Sequence, residues 1–126
     1  MKKILIVIAD YYEDISSTLL KSAKNNLNNF SLKVIRVPGV FEIPITISKN
    51  IKKYDAFIAL GCVIKGQTPH FDFISSASTQ AIMDISVDCK KPIGNGIITC
   101  LNMKQAKARG KKGKEAAQAV ISVLSQ

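Results

Sequence analysis

The 126-residue sequence has no tryptophan, one histidine and three cysteines. Cys62, Cys89 and Cys100 form no CxxC pair, so neither a zinc site nor a disulfide framework is indicated. Thiol usage of this kind fits a reduced, cytoplasmic setting. Long apolar runs are missing as well, since none approaches the roughly 20 residues that span a bilayer. Met1-Lys2-Lys3 followed by Ile4–Ala9 has the charge order of a secretory leader. Its apolar part is short, however, and it meets Asp10-Tyr11-Tyr12-Glu13-Asp14 without a small-residue cleavage site, so a buried first strand is expected. No internal repeat, low-complexity tract or linker interrupts the chain, and its length is that of a single domain over residues 1–126. Acidic residues are scarce, 9 against 18 basic ones, for a net charge of +9. That surplus suits an anionic partner, whether a nucleic acid, an acidic membrane or a phosphorylated small molecule. The densest basic run, Lys104–Lys114, carries no interleaved aromatics. RRM and zinc-finger signatures are also absent, and neither a nucleic acid nor a membrane is expected as partner.

What is present is an alternation. Lys3–Ala9 and Ala56–Ile64 are continuous apolar runs of the kind found in strands covered on both faces. Ile15, Leu19, Ala23 and Leu27 recur at helical spacing. Leu32–Val37 is short and β-branched and stops at Pro38-Gly39. Residues 42–52 suit a short helix, with Pro44 in its first turn. Phe71, Ile74, Ala81, Ile82 and Ile85 share a helical face, and Pro92–Thr99 reads as a fourth strand. Asn102–Arg109 reads as a short helix that Gly110 can cap, and Ala116, Ala117, Val120, Ile121 and Leu124 line a last helix. The order is βαβαβαβα with fully apolar strands, which predicts an α/β fold with a four-stranded parallel sheet and helices on both faces.

In such folds ligands gather beyond the carboxyl ends of the strands. There the sequence places Tyr11-Tyr12, then Val40-Phe41-Glu42, then Cys62 to His70. In the third loop Gly66 frees the backbone, Thr68 is expected to cap the next helix, and Pro69 suits its first position. Amide groups at that helix start favour an anion, with Lys65 and Thr68 adding contacts. The loop is not a GxxxxGK[ST] phosphate loop. His70, the single histidine, ionises near neutral pH in unperturbed form and suits proton transfer. Arg109 is the residue of the basic run able to grip a phosphate bidentately.

Val37-Pro38-Gly39-Val40-Phe41-Glu42-Ile43-Pro44, Gly61-Cys62-Val63-Ile64-Lys65-Gly66-Gln67-Thr68-Pro69-His70-Phe71 and Gly94-Asn95-Gly96-Ile97-Ile98-Thr99 together resemble the lumazine synthase family of riboflavin biosynthesis. The resemblance runs in order over nearly the whole chain. It implies a flavodoxin-like three-layer sandwich and a cofactor-independent, metal-free transferase. The reaction would condense 5-amino-6-(D-ribitylamino)uracil with 3,4-dihydroxy-2-butanone 4-phosphate to give 6,7-dimethyl-8-ribityllumazine, phosphate and water. It also implies site roles. Tyr11 would stack on the pyrimidine ring, with Val40, Phe41 and Glu42 at the ring and ribityl chain and Cys62, Val63 and Ile64 as the adjoining wall. Gln67 and Thr68 would hold the phosphate, and His70 would be general acid and base. Asn95 and Arg109 would reach the site from a neighbouring subunit, with Arg109 on the phosphate, and Lys112 would be a further basic residue of the site. Departures from the family pattern are Tyr11 for the usual Phe, Lys65 for Arg, Ala108 for an acid, and a shorter Arg109–Lys112 segment. The chain also lacks the loop that icosahedral members carry, so a homopentamer is expected rather than a shell. The alternative function is a paralogue that binds lumazine or flavin with little or no turnover. A receiver domain is excluded because the third strand ends in Gly61-Cys62-Val63, with no aspartate to phosphorylate.

Overall fold

Two strands have no polar face, and that decides the architecture. β1 (Lys3–Ala9) is buried at every position after Lys3, and β3 (Ala56–Ile64) at every position before Ile64. Such strands must lie inside a sheet roofed on both sides. The structure, a computed structural model, describes residues 1–66 and 69–126. Its 4-stranded sheet is parallel throughout, in the order β2-β1-β3-β4, with β2 (Ser31–Val37) and β4 (Ile93–Cys100) at the edges. Val7 stands between Ile35 of β2 and Ala59 of β3, and Ala59 in turn faces Asn95 of β4.

Alternation along the strands then builds two cores. Ile4, Ile6, Ile8, Ile58 and Leu60 pack with α1 (Glu13–Lys24) and α5 (Lys112–Leu124). Leu5, Val7, Phe57 and Ala59 pack on the other side with α2 (Ile43–Lys49) and α3 (His70–Cys89). Each fully buried aliphatic side chain contributes about 1.5–3 kcal/mol, so this three-layer arrangement carries the fold. The expected α1 stripe is buried throughout, including Leu27 beyond the helix end. Glu13 and Asp14 in the first turn and Lys21 and Lys24 in the last complement the helix dipole. The buried Ser16 hydroxyl donates to the Ala9 carbonyl at 2.7 Å, which ties the start of α1 to the carboxyl end of β1.

The structure departs from the sequence reading in four places. The segment expected as one helix over residues 42–52 is a 3-10 turn, Val40–Glu42, followed by α2. α3 starts at His70, with Pro69 in the cap position instead of the first helical one, and the expected Thr68 cap lies outside the described residues. Gly110 follows α4 (Met103–Ala108) but takes no left-handed conformation. It is needed for space, since a Cβ there would lie 2.5 Å from the Thr18 methyl of α1. Finally, β4 is not apolar on both faces. Asn95 and Thr99 are exposed and Ile97 is only half-buried, because α3 buries just Ser78 and Ile82 and leaves that side of the edge strand open. None of the described helices is long and apolar enough to cross a membrane.

Candidate active site

The carboxyl ends of β1 and β3, the 3-10 turn and the start of α3 enclose a cleft of about 350 Å³. Tyr11, Val40, Phe41, Glu42, Cys62, Val63, Ile64 and His70 all line it. Its local chemistry follows from how each segment leaves the sheet. β1 is followed by Asp10, whose carboxylate is held by the Arg36 guanidinium at 3.0 Å, and the chain then turns through the two tyrosines into α1. Tyr11 is 75% exposed and meets the Tyr12 ring edge-on, with centroids 4.9 Å apart. After Val37 the extended Gly39 leads into the 3-10 turn, which buries Val40 and leaves Phe41 69% exposed beside the cleft. Glu42 is half-buried and its backbone carbonyl accepts from the Thr46 hydroxyl at 2.8 Å, so the carboxylate is carried on an anchored turn. Two exposed aromatic rings next to a carboxylate form a surface for a flat, hydroxyl-bearing molecule.

The wall of the cleft is apolar. Cys62 and Val63 are buried, and burial pushes the Cys62 thiol up to about 12, with the neighbouring Cys100 adding to the shift. Burial also raises the Tyr12 phenol, assisted by Tyr11 and Cys62. Both groups are therefore neutral at physiological pH, and Glu42 and His70 stand at the rim of this apolar wall. His70 opens α3 and is exposed. Tyr12, which the sequence places at this strand end beside Tyr11, lines the cleft too, as do Gly39 and Ile74, which were not anticipated as site residues. Ile74 was within reach of inference, because it lies one helical turn beyond His70 and so shares its face.

Asn95, Arg109 and Lys112 lie elsewhere. They line a second cleft of about 560 Å³ with Ile97, Thr99 and Lys111, over the open face of β4, and the two clefts have no lining residue in common. Asn95 is exposed, its Oδ1 accepting from the Ile97 amide at 3.1 Å. Arg109 ends α4 and donates from Nη1 to the Thr99 carbonyl at 2.9 Å, 3.9 Å from the Cys100 sulfur. Gln67 and Thr68, the expected phosphate contacts of the loop, lie outside the described residues. Among the described residues no group of three or more His, Cys, Asp or Glu side chains is placed to hold a metal ion.

Comparison with known proteins agrees along the full length. A family model described as 6,7-dimethyl-8-ribityllumazine synthase matches residues 1–126. The chain is 44% identical to the 6,7-dimethyl-8-ribityllumazine synthase of Rhodopseudomonas palustris strain BisA53, over 95% of this chain and 82% of that protein. It is 40% identical to the protein of that name from Methylorubrum populi, over 98% and 81% of the two chains. To that of Cutibacterium acnes it is also 40% identical, over 98% and 80%.

Proposed function

The chain belongs to the 6,7-dimethyl-8-ribityllumazine synthase family, and we propose from this that it condenses 5-amino-6-(D-ribitylamino)uracil with 3,4-dihydroxy-2-butanone 4-phosphate in the cytoplasm. The observation that supports this most directly is the first cleft. Exposed rings, a carboxylate and the chain's single histidine converge there at the carboxyl ends of the strands. The uracil ring would lie against Tyr11 and the Val40-Phe41 turn, and Glu42 would accept from ribityl hydroxyls. The uracil amine attacks the ketone of the second substrate, losing water to give a Schiff base. Phosphate is then eliminated, and the ribitylamino nitrogen attacks the remaining carbonyl, closing the ring with loss of a second water. His70 would carry protons between these steps, at the edge of an apolar wall that offers no competing acid. No metal or organic cofactor enters the scheme. Holding both substrates in register supplies much of the acceleration, as expected when binding converts a bimolecular step into an effectively unimolecular one.

We propose further that the phosphate is met by Arg109 and Lys112 together with Gln67 and Thr68, and that Arg109 and Asn95 belong to sites on a neighbouring copy. The split between the two clefts supports this. On one chain the aromatic-acidic cleft and the Asn95–Arg109–Lys112 cleft are separately lined, so juxtaposing copies would complete a site that a single chain divides. The open face of β4 and the exposed Phe73, Met83 and Val87 of α3 provide a surface for such a partner. A homopentamer of one-domain chains is the assembly that this reading takes.

The test is product formation followed at the near-ultraviolet absorbance of the lumazine, against an enzyme-free control because the condensation also runs slowly unaided. A rate well above control is expected. His70→Ala should lower it roughly 100-fold or more while sparing pyrimidine binding. Folded protein that binds a lumazine analogue and turns over no faster than control would instead mark a binding paralogue.

A further inference from the structure

The short turn between α4 and α5 is locked from a distant helix. Ser22 of α1 sends its hydroxyl hydrogen to the Gly110 carbonyl at 2.8 Å and accepts from the Lys114 amide at 3.0 Å, across separations of 88 and 92 residues. The Leu19 carbonyl is also near, at 3.3 Å, but the shorter bond to Gly110 takes the single hydrogen. Gly110 directly follows Arg109, and Lys114 lies two residues beyond Lys112. The two bonds therefore bracket both basic residues of the second cleft. Close packing backs them up: a Cβ on Gly113 would run into the Leu19 carbonyl and come within 2.5 Å of Ser22 Oγ. At its other end α4 is held by reciprocal caps. Asn102 Oδ1 accepts from the Gln105 amide at 2.9 Å, and Gln105 Oε1 accepts from the Leu101 amide at 2.8 Å.

We propose that Ser22 is a positioning residue for phosphate recognition, its hydroxyl clasping the α4–α5 turn so that Arg109 and Lys112 keep a fixed aim across the second cleft. The proposal rests on the reading of Arg109 as a phosphate ligand. It accounts for how a connection shorter than the family's usual one still holds two cations in place. A serine hydroxyl is a donor and an acceptor at once, and so satisfies the carbonyl at one end of the turn and the amide at the other. A guanidinium on a long side chain magnifies small backbone shifts, and misplacement by about 1 Å can cost as much as 100-fold in rate.

The experiment measures KM for each substrate in the wild type and in Ser22→Ala, Ser22→Cys, Arg109→Ala and Ser86→Ala, together with inhibition by inorganic phosphate. Ser22→Ala should raise KM for the butanone phosphate about fivefold, leave the uracil KM within about twofold, and weaken phosphate inhibition in parallel. Ser22→Cys keeps the shape but donates weakly, and should move the same way. If Ser22→Ala fails to fold, the cysteine variant decides. Ser86 bonds the Lys91 carbonyl at 2.8 Å beyond the far end of α3; its alanine variant should lower Tm yet leave both KM values alone. A wild-type phosphate KM in both Ser22 variants, with Arg109→Ala still impaired, would overturn the clasp and keep the phosphate reading. An equal rise in both KM values would reduce Ser22 to general stability and overturn it too. An unchanged KM in Arg109→Ala would remove the phosphate reading, and the proposal with it.

Discussion

Cys62 lies against the candidate substrate cleft, and its chemistry is set by burial. A thiol displaced upward to about 12 stays protonated in the fold at pH values where a free cysteine is already ionised. The folded state therefore binds a proton that the unfolded state has released between roughly pH 9 and pH 12. The stabilisation linked to this proton is complete below the unfolded pKa and is lost as pH rises toward the folded one. Thermal unfolding of wild type minus Cys62→Ala should show that loss as a difference that shrinks from pH 9 upward; a flat difference would contradict it. At pH 8 iodoacetamide should label exposed Cys89 and spare buried Cys62 and Cys100, as read by peptide mass spectrometry. The protonated thiol also means that the cleft wall presents no anion to a phosphorylated substrate.

At the scale of elements, the contact between α1 and the start of α5 is the most sensitive joint. Gly113→Ala would drive a methyl into the Leu19 carbonyl. The expected cost is about 2 kcal/mol or more, seen as a Tm drop of several degrees. This joint also shows what a linear reading can and cannot see. β1 and β3 were legible because burial on both faces leaves an unbroken apolar run, and the α1 stripe because its period is helical. Gly110 was legible as a break but not for its reason, since the atom it must avoid belongs to Thr18. The Ser22 bonds were invisible for the same cause: they join residues far apart, and no local periodicity records them. β4 was misread because an edge strand loses cover on one face only where its neighbouring helix happens to end its burial. Tyr11, Tyr12, Val40, Phe41, Glu42, Cys62, Val63, Ile64 and His70 line one cleft because they leave the same edge of the sheet, whereas Asn95, Arg109 and Lys112 line another, a separation that no local pattern in the sequence records.

At the scale of the molecule, the two clefts make a prediction about mixtures. At butanone phosphate well below its KM, His70→Ala and Arg109→Ala protomers should each be nearly inactive alone. When they are co-expressed and assembled together, about one quarter of the contacts between copies should unite an intact His70 with an intact Arg109, and activity should return to about that fraction. Mixtures with no recovery would mean that each chain completes its own site. Light scattering should find a species near 68 kDa, five times the 13.7 kDa chain.

The separation of the clefts has a consequence for dilution. A site made by two copies, as proposed above, would exist only while they are associated, and turnover per chain would then obey the law of mass action in protein as well as in substrate. Below the association midpoint, specific activity should fall with each dilution and recover on reconcentration. A substrate bridging both clefts would pull dispersed chains back together, so that feeding the enzyme would also assemble it.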